Sequence, residues 1–284
     1  MNRSHYRHLI SHCLPILLGI SLSSGASPTT PASPALPAWQ ALEFEQQAFW
    51  ATARSRIEIT PLPGDEPHWQ LSSDSSVTNN SEQVHLTFCS EDGRLLQRTR
   101  LSQGKDRRYK SFDYLPDHIE RVRRVPGNNA DQAPREWPVS SQQQIPYPEL
   151  AADQVITNAY LLLLLADRFQ AGTDESTQAI IHTDFNFYQV TMTHSAGTAL
   201  EVDYQVNGGQ QVTGLRDTHG VTLEVNPLGT LAEKPDFSLL GLHGRITLLY
   251  ETETGVLVQL RGTAPRLGPA EINLKSVTLR TPQG

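Results

Sequence analysis

Apolar and polar positions alternate along much of the chain, with the period of two that marks a half-buried β-strand. In Gln83–Ser90, Val84, Leu86 and Phe88 point one way, and His85, Thr87 and Cys89 the other. Glu91-Asp92-Gly93 reads as a hairpin turn and Arg94–Leu101 as the returning strand. Arg107–Leu115 and His118–Val125 add a second hairpin, which predicts a four-strand antiparallel meander. Ahead of it, Leu42, Phe44, Ile57 and Ile59 mark strand positions within Ala41–Pro61. The Ser-rich stretch Asp65–Glu82 lacks the pattern and reads as a loop. In the second half, strands are predicted at Gln178–His182, Phe187–Thr193, Ala199–Gln205, Gln211–Leu215 and Val221–Val225. Gly244–Tyr250, Val256–Arg261 and Glu271–Arg280 complete the series. In the last of these, Ile272 and Leu274 share one parity while Val277 and Leu279 take the other. That phase slip predicts a β-bulge near Lys275–Ser276.

One stretch breaks the period. Asp153–Phe169 has Asp153 as a candidate N-cap, a run of Ala and Leu, and no Gly or Pro, so it predicts a helix. Val155, Ile156, Ala159, Leu162, Leu163 and Ala166 fall on one face. Leu161, Leu164 and Leu165 land on the opposite, polar side. Burying one Leu is worth roughly 1.5–3 kcal/mol, so something is expected to cover them. Long loops are one cover; an apolar cavity or a partner is the other. On the second reading Tyr160, Leu161, Leu164 and Leu165 bind a ligand. The apolar run Ala159–Ala166 is far shorter than the roughly 20 residues of a membrane span.

The beginning of the chain has its own signature. Arg3 and Arg7 precede the apolar run Leu14–Leu22, and Ser24-Gly25-Ala26 follows it, the pattern of a cleaved secretory signal peptide. Residues 27–38 are Pro-rich and read as a disordered spacer. A single β-rich domain is expected over residues 39–280: a β block 41–125, an irregular segment 126–152, the helix 153–169 and a β block 178–280. The irregular segment after Pro126 and the helix that follows it together have the makings of a lid. The fold class is therefore mainly β, an antiparallel, strongly curved sheet or open barrel with one mid-chain helix as plug or lid.

Charge then changes the picture. The formal net charge is −7, and removing residues 1–26 takes away two arginines and leaves −9. Such a chain is a poor partner for nucleic acid or an anionic membrane. Ten basic residues and four acids nevertheless crowd between Arg94 and Arg124. Alternation places Arg98 and Arg100 on one face, and Arg121 and Arg123 on one face. The ordinary expectation is a solvated outer sheet face. The functional one is a docking surface for an anionic envelope component or an acidic patch on an envelope protein, using Arg98, Arg100, Arg121, Arg123 and Arg124.

Candidate chemistry is sparse. Cys89 is the one cysteine after residue 26, so no internal disulfide is expected there, and it reads as a small strand residue. No His-x-His, HExxH, Gly-x-Ser-x-Gly or phosphate-loop motif occurs, and no catalytic residue, metal or cofactor is assigned. His182-Thr183-Asp184 is the best local pair for a hydrolase acting on an envelope polymer.

The segment GVLVQLRGTAPRLGPAEINLKSVTLR, residues 255–280, resembles the C-terminal hairpin of uncharacterised bacterial periplasmic β-rich proteins. Their architecture is similar to the open barrels of the Lol lipoprotein carriers. The resemblance spans about Gln154 to Arg280 and transfers no catalytic residue. It implies a curved sheet and helical lid around an apolar cavity, with a lipid or lipoprotein as ligand. The chain lacks the lipobox of the lipid-anchored Lol receptor. The expectation is a periplasmic, non-enzymatic protein that binds an apolar or amphipathic envelope ligand or supports envelope assembly.

Overall fold

The computed structural model describes residues 36–48, 51–64, 67–127, 132–151, 154–265 and 267–281. The expected signal peptide, nearly all of the Pro-rich spacer, and Asp153 lie outside these residues. Seventeen strands among the described residues form one sheet, so both β blocks share it.

The first half supplies β1 (Trp39–Ala48), β2 (Ala51–Pro61), β3 (His68–Val77) and β4 (Asn80–Cys89). β5 (Leu95–Gln103), β6 (Arg108–Tyr114), β7 (His118–Arg124) and β8 (Val139–Pro146) continue it. Each of these strands pairs antiparallel with the next. The predicted meander is therefore present as β4–β7. Two segments read as irregular are strands. Asp65–Glu82 contains β3 and the start of β4, and the segment after Pro126 contains β8. No lid forms from the latter, because its backbone is laddered onto β7.

The second half begins with β9 (Ile156–Thr157), a 3-10 turn over Ala159–Leu161, and helix α1 (Leu162–Gln170). It continues with β10 (Ser176–His182), β11 (Phe187–Ser195), β12 (Leu200–Val206) and β13 (Gln210–Arg216). β14 (Thr218–Pro227), β15 (His243–Glu251), β16 (Leu257–Ala264) and β17 (Gly268–Leu279) end it. The spatial order runs β9-β10-β11-β14-β15-β16-β17-β1 and on through β8. The β12–β13 hairpin turns at Asn207-Gly208, both at positive φ, and lies alongside the end of β17. The sheet is mixed, because β9–β10 and β12–β17 run parallel while the other pairs are antiparallel.

The expected bulge in the last strand is real. Glu43 faces Ser276 while Phe44 faces Leu274, so Lys275 is the extra residue. It falls where β17 exchanges one neighbour for another: Asn273 still pairs with β16, whereas Ser276 and Val277 pair with β12.

The helix is shorter than its sequence suggests. Ile156 and Thr157 are β-branched and pair with β10, as their stiff χ1 favours. Asn158 caps the turn that follows, its side chain accepting from Tyr160 N at 3.1 Å. Leu161, Leu162, Leu163 and Leu164 are all buried, and Leu165 is partly so. These leucines pack within the same core as the strand residues Leu42, Leu223 and Leu248 and the loop residues Phe237, Leu239 and Leu242.

Helix contacts also show how far the sheet curls. Trp39 of β1 donates to Asp167, Phe169 stacks on His194 of β11 at 4.4 Å, and Gln170 bonds His219 of β14 at 2.8 Å. β1 and β11 are five strand spacings apart, about 24 Å in a flat sheet at the usual spacing. One helix reaches both only because the sheet bends around it, and an all-round apolar surface is what such a position requires. Leu162→Ala is expected to cost about 2–5 kcal/mol of stability in urea denaturation, while the exposed Leu215→Ala stays within about 0.5 kcal/mol.

Candidate ligand cleft

The inward positions change character along each strand. On β2, Ile57 and Ile59 are fully buried, whereas Ala51, Ala53 and Ser55 at its start face a cleft. The register extends this change across the sheet in three rows. The deepest runs Ile59, Leu71, Leu86, Arg98, Phe112 and Arg121. The next runs Ile57, Ser73, Val84, Arg100, Lys110 and Arg123. The outermost runs Ser55, Ser75, Glu82, Ser102 and Arg108. Polar residues thus enter the interior toward β5–β7 and toward one end of the strands. The resulting cleft has a volume of about 690 Å³. Its facing wall carries Asn158, Tyr160, Thr183, Asp184 and Asp236, with Leu240 and Leu267 toward the mouth.

The alternation of the basic residues holds, but the face is the opposite of the one expected. Arg98 and Arg121 are buried, at 5% and 4% exposure, and Lys110 is at 7%. Arg123 shares their inward parity, and Arg124 on the other face bonds the carbonyl of Trp137 at 2.9 Å. These residues do not form an outer docking surface. Arg98 donates to the carbonyl oxygens of His182 and Thr183 at 3.2 and 2.6 Å and lies over the Phe112 ring. Arg121 lies over Phe185. The cations turn inward because they bind the turn that follows β10.

That turn has a carboxylate at its centre. Asp184 bonds Lys110, and its Oδ1 lies 3.8 Å from Arg98 and from Arg100. Burial acts to raise the Asp184 carboxyl, but the charges of Lys110, Arg98 and Arg100 overcome it and hold the group far below the usual carboxylate range. Burial is also the largest influence on Lys110. It lowers the ammonium to about 8 against the attraction of Asp184, with Arg100 and Arg121 lowering it further. The pair is charged at neutral pH. Asp236 fixes the turn in place. It accepts from the Asp184 backbone at 3.1 Å, Thr183 Oγ1 at 2.7 Å, Asn186 Nδ2 at 2.8 Å and Tyr188 Oη at 3.1 Å.

His182 and Asp184 do not converge. The His182 ring sits among Phe112, Tyr114 and Phe187, and its Nδ1 shares a hydrogen bond with Tyr114 Oη at 2.9 Å. Burial and the neighbouring Arg98 hold it well below its ordinary pKa, so it is neutral. Asp184 engages the cations instead. This separation removes the support for a His-Asp hydrolase pair. Of the four helix-region residues read as ligand-binding, Tyr160 lines the cleft, and burial pushes its hydroxyl up to about 12. Leu161 and Leu164 belong to the core, and Leu165 packs against it. Arg98, Arg100 and Asp184, singled out in the sequence for other roles, also line the cleft, whereas Ser75 and Glu82 went unread because they sit in a stretch with no apolar alternation. The one available signal was polar: serines recur in Ser72-Ser73-Asp74-Ser75-Ser76.

No protein-family model matches the chain. No curated protein matches it either. Among solved structures it is similar to the crystal structure of a beta-barrel-like protein of a domain of unknown function, DUF1849, from Brucella abortus. The identity is 8% and the TM-score 0.48, over 88% of this chain and 100% of that one.

Asp184→Ala leaves Lys110 and Arg98 buried without their carboxylate and is expected to cost about 3–5 kcal/mol in denaturant unfolding. The contribution of Asp184 has a definite sign with pH. Its folded pKa lies below its ordinary 3.8, so the stabilisation is present above that value and is lost as pH falls below it. In acid titration the variant's stability is therefore expected to approach that of the parent.

Proposed function

We propose that this chain is a non-enzymatic binding protein of the cell envelope that takes an amphipathic envelope molecule into the cleft. The observation that carries the reading is the two-sided lining. Ala51, Ala53, Val77, Leu240 and Leu267 offer small or apolar surface, while Arg98, Arg100, Ser102, Asp184 and Asn158 offer polar groups. The volume of about 690 Å³ is that of a small-molecule site rather than of a packing defect. A molecule with an apolar body and a polar end matches such walls. Arg3, Arg7 and the apolar run Leu14–Leu22 support export, and hence the periplasm as the place of action.

The reading is compatible with the carrier layout implied by the resemblance to open-barrel lipoprotein carriers. The role of the helix differs. Helix α1 is core, and the ligand space lies beside Tyr160 at its approach, not against Leu161 or Leu164. The sheet and helix form a rigid scaffold, and the cleft is the part left unfilled.

A fluorescent lysophospholipid titrated into the full chain is expected to bind saturably with one site. Ser75→Trp, which fills the cleft from the strand β3 side, is expected to weaken that binding at least tenfold with an unchanged melting curve. Unsaturable partitioning, or equal affinity of the filled variant, would overturn the reading.

A further inference from the structure

We propose that the polar end of the ligand is an anion, a phosphoryl- or carboxylate-type oxyanion held by Ser102 and Arg108 with Arg100 behind them. This rests on the cleft being the ligand site and specifies the chemistry it selects.

Three observations converge on these residues. The first is the charge balance. The cations facing this end of the interior are Arg98, Arg100 and Arg108, with Lys110 bonded to Asp184 behind them. The carboxylates facing it are Glu82, Asp184 and Asp236. Asp236 accepts from a backbone amide, two hydroxyls and an amide side chain, so its oxygens are engaged by the turn and not by the cleft cations. Glu82 is taken by Arg100, through Nε at 2.8 Å and a second nitrogen at 2.6 Å. Asp184 is shared among three cations. Positive charge is left over, and the rim pairs Arg54–Glu45 and Lys105 beside Asp106 do not remove it.

The second observation is a set of donors without partners. Ser102 is nine-tenths buried and lines the cleft, yet its hydroxyl has no hydrogen-bond partner. The Nε of Arg108 is likewise buried and unpartnered, and Arg108 makes no ion pair among the described residues. A buried polar atom left unbonded is costly, so native interiors rarely retain one without a use. The third observation is placement. Ser102 and Arg108 are directly opposed across the β5–β6 ladder, which brings the two unpartnered groups to one spot on the cleft wall. A hydroxyl beside a guanidinium is a donor set for oxyanion oxygens. Asp184 and Glu82 hold the deeper cations in place, so Arg108 remains for the ligand.

The test compares dodecyl phosphate, dodecyl maltoside and inorganic phosphate by calorimetry on the full chain at low salt. The expected result is dodecyl phosphate binding at least tenfold tighter than dodecyl maltoside, with an affinity that falls as salt rises. Arg108→Gln and Ser102→Ala are each expected to weaken dodecyl phosphate about tenfold more than they weaken dodecyl maltoside. Neither variant breaks an ion pair, and thermal melts confirm that both fold. Equal affinity for the two amphiphiles, or a phosphate preference that survives Arg108→Gln, would overturn the anion site while leaving the cleft as a binding site. Inorganic phosphate binding as tightly as dodecyl phosphate would support the anion site and overturn the amphipathic ligand. Absence of saturable binding by all three would overturn both.

Discussion

The curvature of this molecule is fixed by a polar seam. Strands β5 and β10 are ten spacings apart in the sheet, about 48 Å if it were flat, yet Arg98 touches the carbonyl of His182 at 3.2 Å. No backbone ladder joins the two sides among the described residues, and the sheet is not closed into a barrel. Side chains do the joining: Arg98 and Lys110 reach the turn after β10, and Tyr114 meets His182. Such a seam demands full satisfaction, because a charge buried without a partner is far costlier than a missing apolar contact. Asp184 supplies the charge partner of Lys110, Arg98 and Arg100, and Asp236 holds Asp184 where it is needed.

The cleft follows from the same arrangement. Charged side chains that bridge a gap cannot pack like leucines, so the interior beside them is loosely filled and wettable. The serines of β2, β3 and β5 face this space, while β2, β3 and β4 further along carry Ile59, Leu71 and Leu86 into a dry core. Helix α1 fills the dry part. One curved sheet thus holds two environments, divided by a change of inward residue along each strand rather than by a domain boundary.

How much of this was legible depends on what each strand faces. β4 could be read because Val84, Leu86 and Phe88 are packed on one side and polar residues lie on the other. β3 could not, because its inward Ser73 and Ser75 look onto the polar region and leave no hydrophobic period. β8 failed for the opposite reason: as an edge strand exposed on both faces, it buries little and needs no apolar residue. The cations of the meander show a third limit. Parity groups Arg98 with Arg100 and Arg121 with Arg123, but it cannot say which face is inside. The usual cost of burying charge pointed the wrong way, because Asp184 lies far along the chain. The bulge at Lys275 was readable because a parity slip is a local event.

The pairing of β1 with β17 carries a consequence for the order of assembly. Trp39 is opposite Leu279, so the strand that enters the sheet first waits for the one that enters last. Until β17 arrives, β1 has only β2 beside it, and β16 has only β15. Without that pairing no backbone ladder joins the two halves among the described residues, and the side-chain seam from Arg98 and Lys110 to the turn after β10 is what remains. Contacts this distant in sequence make folding slow.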